Sequence, residues 1–198
     1  MSSDTKFHIH HDAPEVVGRR ERLGVRLLIV ADGAFVFGLI FSYFYLRNLD
    51  QNGGWIPKEG HTLSVSSGWM AVLPLVVGAL VHKLAQRDPS HQGSFSLITL
   101  VAYVYGGYYQ FHQLANMPFI DKESGAFEGA YASCWTVIAG ANMFHYIVAG
   151  FIALGLVVRS RRASVDPVLE SWRIRTAASW FTWVAVSGIA CAITTSFI

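Results

Sequence analysis

Apolar residues along this chain come in five long runs, at about 27–46, 68–84, 95–111, 131–158 and 177–198, separated by short polar segments. Each run approaches the roughly 20 residues an α-helix needs to cross the hydrocarbon of a bilayer. A chain crossing lipid must satisfy its backbone hydrogen bonds internally, and a helix does so residue by residue. The pattern predicts an all-α polytopic membrane protein. A bundle of about five transmembrane helices fills 27–198, behind a polar tail at 1–26. The first run is apolar apart from Asp32, the second contains Pro74, and the third ends in Tyr103, Tyr105, Tyr108 and Tyr109. The fourth is long enough to tilt or to project beyond the bilayer. The tail has no apolar core of its own, so no cleavable signal peptide is expected and insertion is expected to start from the first run.

Charge placement adds an orientation. Arg19, Arg20, Arg22 and Arg26 precede the first run, Lys83 and Arg87 lie between the second and third, and Arg159, Arg161, Arg162, Arg173 and Arg175 lie between the fourth and fifth. The alternate loops hold Arg47 and Lys58 in one and Lys122 in the other. By the positive-inside rule the arginine-rich side is cytoplasmic, which puts the N-terminus inside and the C-terminus outside. Gly53, Gly54, Trp55 and Pro57 make the first outer loop read as a compact turn. Pro118, Asp121, Glu123, Gly125 and Glu128 do the same for the second.

Composition removes several function classes. Only 14% of the 198 residues are charged and 53% are hydrophobic, against about a quarter charged in a soluble domain. A net charge of +2 leaves no footprint for nucleic acid. Cys134 and Cys191 form neither a CxxC pair nor a CxxCH haem-attachment motif, and both read as small hydrophobes within helices. A transporter should show several buried charges, interrupted helices or a repeat, whereas one buried carboxylate and no repeat are found. A membrane enzyme should show a metal cluster, or a nucleophile with its base, and the sequence offers neither.

What remains is a short list of polar groups inside apolar runs. Asp32 stands about a turn and a half into the first run, where an unpartnered carboxylate costs several kcal/mol. It is either functional, or a structural residue wetted at the interface or kept neutral by burial. Asn142 and His145 are three apart, hence on one helix face, and the third run ends in Gln110 and His112. His145 alone reads as a hydrogen-bonded bundle histidine rather than a metal ligand, because His82 and His112 lie at run ends on opposite sides. His8, His10, His11 and Asp12 suit adventitious metal binding or, more simply, a solvated tail. Small residues recur at spacing four, as Ala34, Gly38 and Ser42 in the first run, and as Thr136 and Gly140, then Ala149 and Ala153, in the fourth. This predicts close helix neighbours for the first and fourth runs.

Four of these stretches resemble one family. The segment from Leu28 to Arg47, with Asp32 followed by Phe35, Phe37, Tyr43 and Phe44, is similar to the signature span of subunit III of the haem-copper terminal oxidases. In that family the acidic residue is Glu in most cytochrome c oxidases and Asp in many quinol oxidases. The segment Tyr109–Leu114 resembles its Tyr-Glu-aromatic-His-His-Leu ending, with Gln110 in place of Glu. Gly140–His145 resembles its Gly-x-His-x-x-His helix, with Asn142 in place of the first His. Trp172 to Trp183 resembles its Trp-rich entry to the last helix, in an arginine-bearing variant. The likeness runs from Leu27 onward and matches the short, five-helix bacterial form.

The resemblance implies a non-catalytic subunit in a bacterial cell membrane that binds no cofactor itself. Haem and copper are then expected in the partner subunits I and II. Phospholipid is an expected ligand, because the family holds lipids in a cleft between two groups of helices. The subunit packs on subunit I, supports proton uptake and sustained turnover, and helps oxygen reach the site. Asp32, Gln110, His112, Asn142 and His145 are the buried polar candidates, and Trp172, Arg175 and Trp180 the lipid or interface candidates. The nearest alternative is the subunit III-like accessory protein of nitric oxide reductase, with a small transporter or channel further off.

Overall fold

A computed structural model describes residues 12–50, 53–57, 62–88, 91–117, 129–162 and 166–197 of the chain. Five helices follow one another: α1 (Pro14–Asn48), α2 (Val65–Arg87), α3 (Gln92–Ala115), α4 (Gly129–Ser160) and α5 (Pro167–Ser196). The described residues contain no strand. Four of the helices, α1, α2, α4 and α5, are long and apolar enough to cross a membrane. Helix α3 falls short of them in apolarity, because its far half carries three tyrosines, two glutamines and a histidine.

Contacts between neighbours fix the directions. Along the α2–α3 seam Ser67 meets Gln113 at one end and Gly78 meets Thr99 near the middle, so these helices are antiparallel. Gly93 faces Ser160 and Gly106 faces Tyr146, which makes α3 and α4 antiparallel too. His82 meets Ile174 and Gly68 meets Thr195, so α2 and α5 are antiparallel, whereas α1 and α5 run parallel. The result is a serial up-and-down bundle. Helix α5 is enclosed by α1, α2 and α4, and α1 lies outside, in the groove between α4 and α5.

Local sequence sets the helix ends. The Asp166 carboxylate accepts from the amides of Val168 (2.8 Å) and Leu169 (3.2 Å), with Pro167 at the first helical position, so α5 starts ten residues before the apolar run does. Ser64 caps α2 through the Ser67 amide. Helix α4 is capped by backbone instead: the carbonyls of Gly54 and Trp55 accept from Ala130 and Tyr131 at 3.1 and 3.0 Å. Gly129 makes this approach possible at φ +80°, and a Cβ there would stand 2.8 Å from the Trp55 carbonyl oxygen. The first outer loop therefore does more than turn. Trp55 is buried, packed edge-on against Tyr43 and Tyr131 with ring centroids 4.9 and 5.8 Å away. The second outer loop, with Pro118, Asp121, Glu123, Gly125 and Glu128, lies outside the described residues, as do Lys58 and Lys122.

Two expectations need correction. The polar stretch before the first run is not a separate tail throughout, because α1 starts at Pro14 and its Gly18 is buried against the Trp172 ring of α5. A hydrophilic stretch can continue a membrane helix when it has protein to pack on. The small-residue stripe Ala34, Gly38 and Ser42 faces away from the other helices, and a Cβ at Gly38 would meet nothing within 4 Å. In the other stripe Ala149 and Ala153 are buried and Gly140 is exposed.

Candidate functional site

The polar groups of the apolar runs gather around one carboxylate. Asp32 lies on the inward face of α1, with only 9% of its side chain exposed. Its Oδ2 accepts from Trp183 Nε1 of α5 at 2.6 Å, and His145 Nε2 of α4 lies 3.0 Å from Oδ2 and 3.2 Å from Oδ1. An indole N–H can only donate, so the carboxylate must accept. The same arrangement assigns the Nε2–H tautomer to His145, leaving Nδ1 buried with no hydrogen-bond partner. A bare lone pair at Nδ1 is cheaper to bury than an unpartnered N–H. The geometry is that of an acceptor satisfied by two donors from two other helices. Trp180, one turn before Trp183, stacks edge-on against the His145 ring at 6.1 Å and closes the site on the α5 side.

Side chains from three helices meet here because each helix turns one polar position inward. On α4, Asn142 and His145 share the buried face with Ala149 and Ala153. On α5, Trp180 and Trp183 are three apart and flank the same groove. On α1, Gly33 lies beside the Trp183 ring, at a distance where a Cβ would still make ordinary contact.

A second polar group lies toward the opposite end of the bundle from the arginine-rich loops. Gln110 is buried and donates from Nε2 to Gln113 Oε1 at 3.0 Å. Gln113 donates in turn to the Ser67 carbonyl at 3.0 Å and its hydroxyl at 2.7 Å, and the Ser67 hydroxyl meets Tyr109. Gln110, Gln113 and Asn142 line a cavity of about 20 Å³, the size of a single water, and Asn142 Oδ1 has no protein partner. The fold thus joins Asp32 to His145 directly and sets Gln110 and Asn142 on the wall of one small cavity.

Other expected residues fall elsewhere. His112 is exposed, with its backbone carbonyl accepting from Asn116, and it belongs to neither group. Trp180 is 1% exposed, so it is a core residue and offers no face to lipid or a partner. Trp172 is half-buried under α1, with the Arg175 guanidinium 6.0 Å from its ring centroid. His82, expected at a run end, is buried: its Nε2 meets the Ile174 carbonyl at 3.0 Å and its ring packs edge-on against Phe181. His8, His10 and His11 lie outside the described residues. Among the described residues no three of His, Cys, Asp and Glu converge on a point that could hold a metal ion.

Trp183 is the residue that sequence reasoning left out of the site. Its signal was faint: a tryptophan three residues after Trp180 in an apolar helix, 151 residues away from the carboxylate it holds. No model of a known protein family matches this chain, and no curated protein does either.

Proposed function

We propose that this chain is a non-catalytic subunit III of a haem-copper respiratory terminal oxidase, in the short five-helix form, with its N-terminus in the cytoplasm. One observation carries the reading. The Asp32 carboxylate occupies the acidic position of the signature span, and its two donors come from two other stretches of resemblance, His145 from Gly140–His145 and Trp183 from Trp172–Trp183. The fourth stretch joins through the cavity that Gln110 shares with Asn142. Motifs far apart in sequence that meet around buried polar groups behave as parts of one design. In this reading Asp32 does no bond chemistry. Its carboxylate orients the helices around it and sets the local field in a low-dielectric region, where charges act strongly. Haem and copper belong to the catalytic partner, and this chain packs on it, binds lipid and supports proton uptake. The bare outer face of α1, with Phe35, Phe37 and Phe41 exposed, is available for lipid and for that partner.

The five-span topology rests on α3. It runs antiparallel between α2 and α4 along its whole length, and α2 and α4 run in the same direction. A chain that descends twice must return once, which supports a crossing by α3 despite its tyrosines. Single cysteines at Gly60 and Ser164 test this: the first should label only from outside and the second only from the cytoplasm. The opposite pattern overturns the topology.

The function is tested by purifying the native complex in gentle detergent, then recording its optical spectrum and the masses of the co-purifying chains. Oxidase subunits I and II with a haem Soret band are expected. The catalytic chain of a nitric oxide reductase would move the assignment to the accessory protein of that enzyme. Absence of any haem-bearing partner would sink the proposal.

A further inference from the structure

Helix α3 is polar where its neighbours are apolar. Its buried face consists of Ser96, Thr99, Tyr103, Gly106, Gly107 and Gln110, so small and hydrogen-bonding residues make its contacts inside the bundle. Its outward face is apolar at Leu97, Ile98, Val101 and Val104, and then carries Tyr105 and Tyr108, 57% and 67% exposed. Neither hydroxyl bonds to another described residue. Depth makes this unfavourable. Gly106 packs on the Tyr146 ring, and Tyr146 stands near the middle of the apolar run 131–158. In the five-span reading Tyr105 therefore lies near mid-membrane, with Tyr108 less than one turn further out. Helical side chains lean toward the N-terminus of their own helix. The N-terminus of α3 is at the arginine-rich end, where Gly93 faces Ser160, so both tyrosines lean back into the membrane and away from the outer surface that could wet them. A lipid-facing tyrosine belongs at the interface, and acyl chains offer its hydroxyl no partner. Helix α1 gives the contrast: from Leu27 to Phe41 every exposed residue is apolar, and lipid alone satisfies that face.

Beside these tyrosines α3 and α4 form an open groove of about 540 Å³, walled by Tyr108, Phe111, Phe151 and Leu154. Gly107 and Gly150 also line it, and a Cβ at Gly150 would meet nothing within 4 Å. Small residues let a neighbouring helix come close, and polar side chains across such a seam bond from helix to helix. We infer that the α3–α4 face docks a transmembrane helix of another chain, which fills this groove and presents hydrogen-bond acceptors to the Tyr105 and Tyr108 hydroxyls. A second copy docked about a twofold axis through the groove would set groove against groove and fill neither. That the other chain is the catalytic subunit rests on the functional reading above; the docking face does not. The same placement accounts for the low apolarity of α3, because a helix with protein on both sides has little surface to match to lipid.

The test uses the full chain in its native membrane. A benzophenone amino acid replaces Val104 or Phe151 on the α3–α4 face, or Phe37 on α1, and the adducts formed on illumination are identified by mass. Val104 and Phe151 should each capture a chain other than this one, and Phe37 mainly lipid. Lipid adducts alone from Val104 and Phe151, capture of a second copy there, or more protein adduct from Phe37 than from either overturns the docking face. The double variant Tyr105→Phe/Tyr108→Phe keeps both rings and removes only the hydroxyls, so the chain should insert and fold as before. Its complex should dissociate about eightfold more readily in detergent, the worth of two interhelical hydrogen bonds in a membrane. Tyr45→Phe on the exposed face of α1 should leave the complex unchanged, and equal effects of the two variants overturn the hydrogen-bonded seam. A haem-bearing chain captured only from α1 would leave the functional proposal standing without this inference. A haem-free chain captured from Val104 would leave this inference standing without the functional proposal.

Discussion

Helices α1 and α5 run side by side in the same direction, yet their surroundings are opposite. The apolar stretch of α1 is the more hydrophobic of the two, but 11% of it is buried inside the protein against 56% for α5. In water that order would be reversed, since burial would follow apolarity. In lipid the solvent is itself apolar, so hydrophobicity keeps a helix in the bilayer without drawing it into the bundle. What draws α5 inward is fit: Gly188 admits Leu75 and Val72, and Trp180 and Phe181 fill the centre. What holds α1 is a set of specific ties at three depths. Gly18 and Glu21 meet Trp172 and Arg173 at one end, Asp32 meets Trp183 and His145 in the middle, and the Tyr43 hydroxyl donates to the Phe197 carbonyl at 2.9 Å at the other. One helix is held by packing on several sides, the other by a single packed face with polar attachments along it.

The contrast is broken most severely at Phe181, which is fully buried. Phe181→Ala leaves a cavity and should cost about 3–5 kcal/mol. Phe37→Ala on the outer face of α1, where the ring is 69% exposed, should stay within about 0.5 kcal/mol. Reversible unfolding of both variants in mixed micelles measures the difference, and equal losses would mean that α1 is packed against something in the isolated chain.

Asp32 sharpens the comparison next. Asp32→Ala leaves Trp183 Nε1 and His145 Nε2 buried without an acceptor, which should cost about 3–5 kcal/mol. The loss should fall on α1, seen as faster labelling of a cysteine at Gly33 while Phe181 stays protected. Asp32→Asn keeps an acceptor for Trp183 but turns an amide N–H toward His145, which must then move its proton to Nδ1. That N–H would lie at a buried site with no partner, so about 1–3 kcal/mol is expected. If the charge of Asp32 also serves the assembled complex, Asn should shift the pH profile of turnover with assembly intact. Wild-type behaviour of both variants would reduce Asp32 to a tolerated wetted residue.

The smallest effect is expected at the outer end. Tyr43→Phe removes one hydrogen bond to the Phe197 carbonyl and keeps the ring contacts with Trp55 and Tyr131, for a loss of about 1 kcal/mol. Proteolysis of the last turn of α5 should speed up accordingly. No change would show that the aromatic cluster alone holds this end.

The sequence by itself determined the all-helical class, the number of helices and their approximate places in the chain. An apolar run long enough to cross hydrocarbon is legible from its length and composition, and four of the five helices meet that measure. Asp32, Asn142 and His145 were also legible, because a polar group in an apolar run is conspicuous by its cost. Sequence was a poorer guide to faces and ends. Spacing four marked Ala34, Gly38 and Ser42 as a packing stripe, but small residues on a lipid-facing surface look identical to small residues at a seam. Periodicity within one helix cannot say which side meets protein when lipid and protein are equally apolar. The starts of α1 and α5 were hidden for a related reason: their polar first turns are stabilised by each other, through Gly18 on Trp172 and Glu21 on Arg173. The tertiary structure alone decided that Trp183 and His145 are the donors to Asp32, that Trp180 is core, and that His112 is not part of the site. Those pairings depend on the rotation of three helices about their axes, which side-chain fit sets and hydropathy does not.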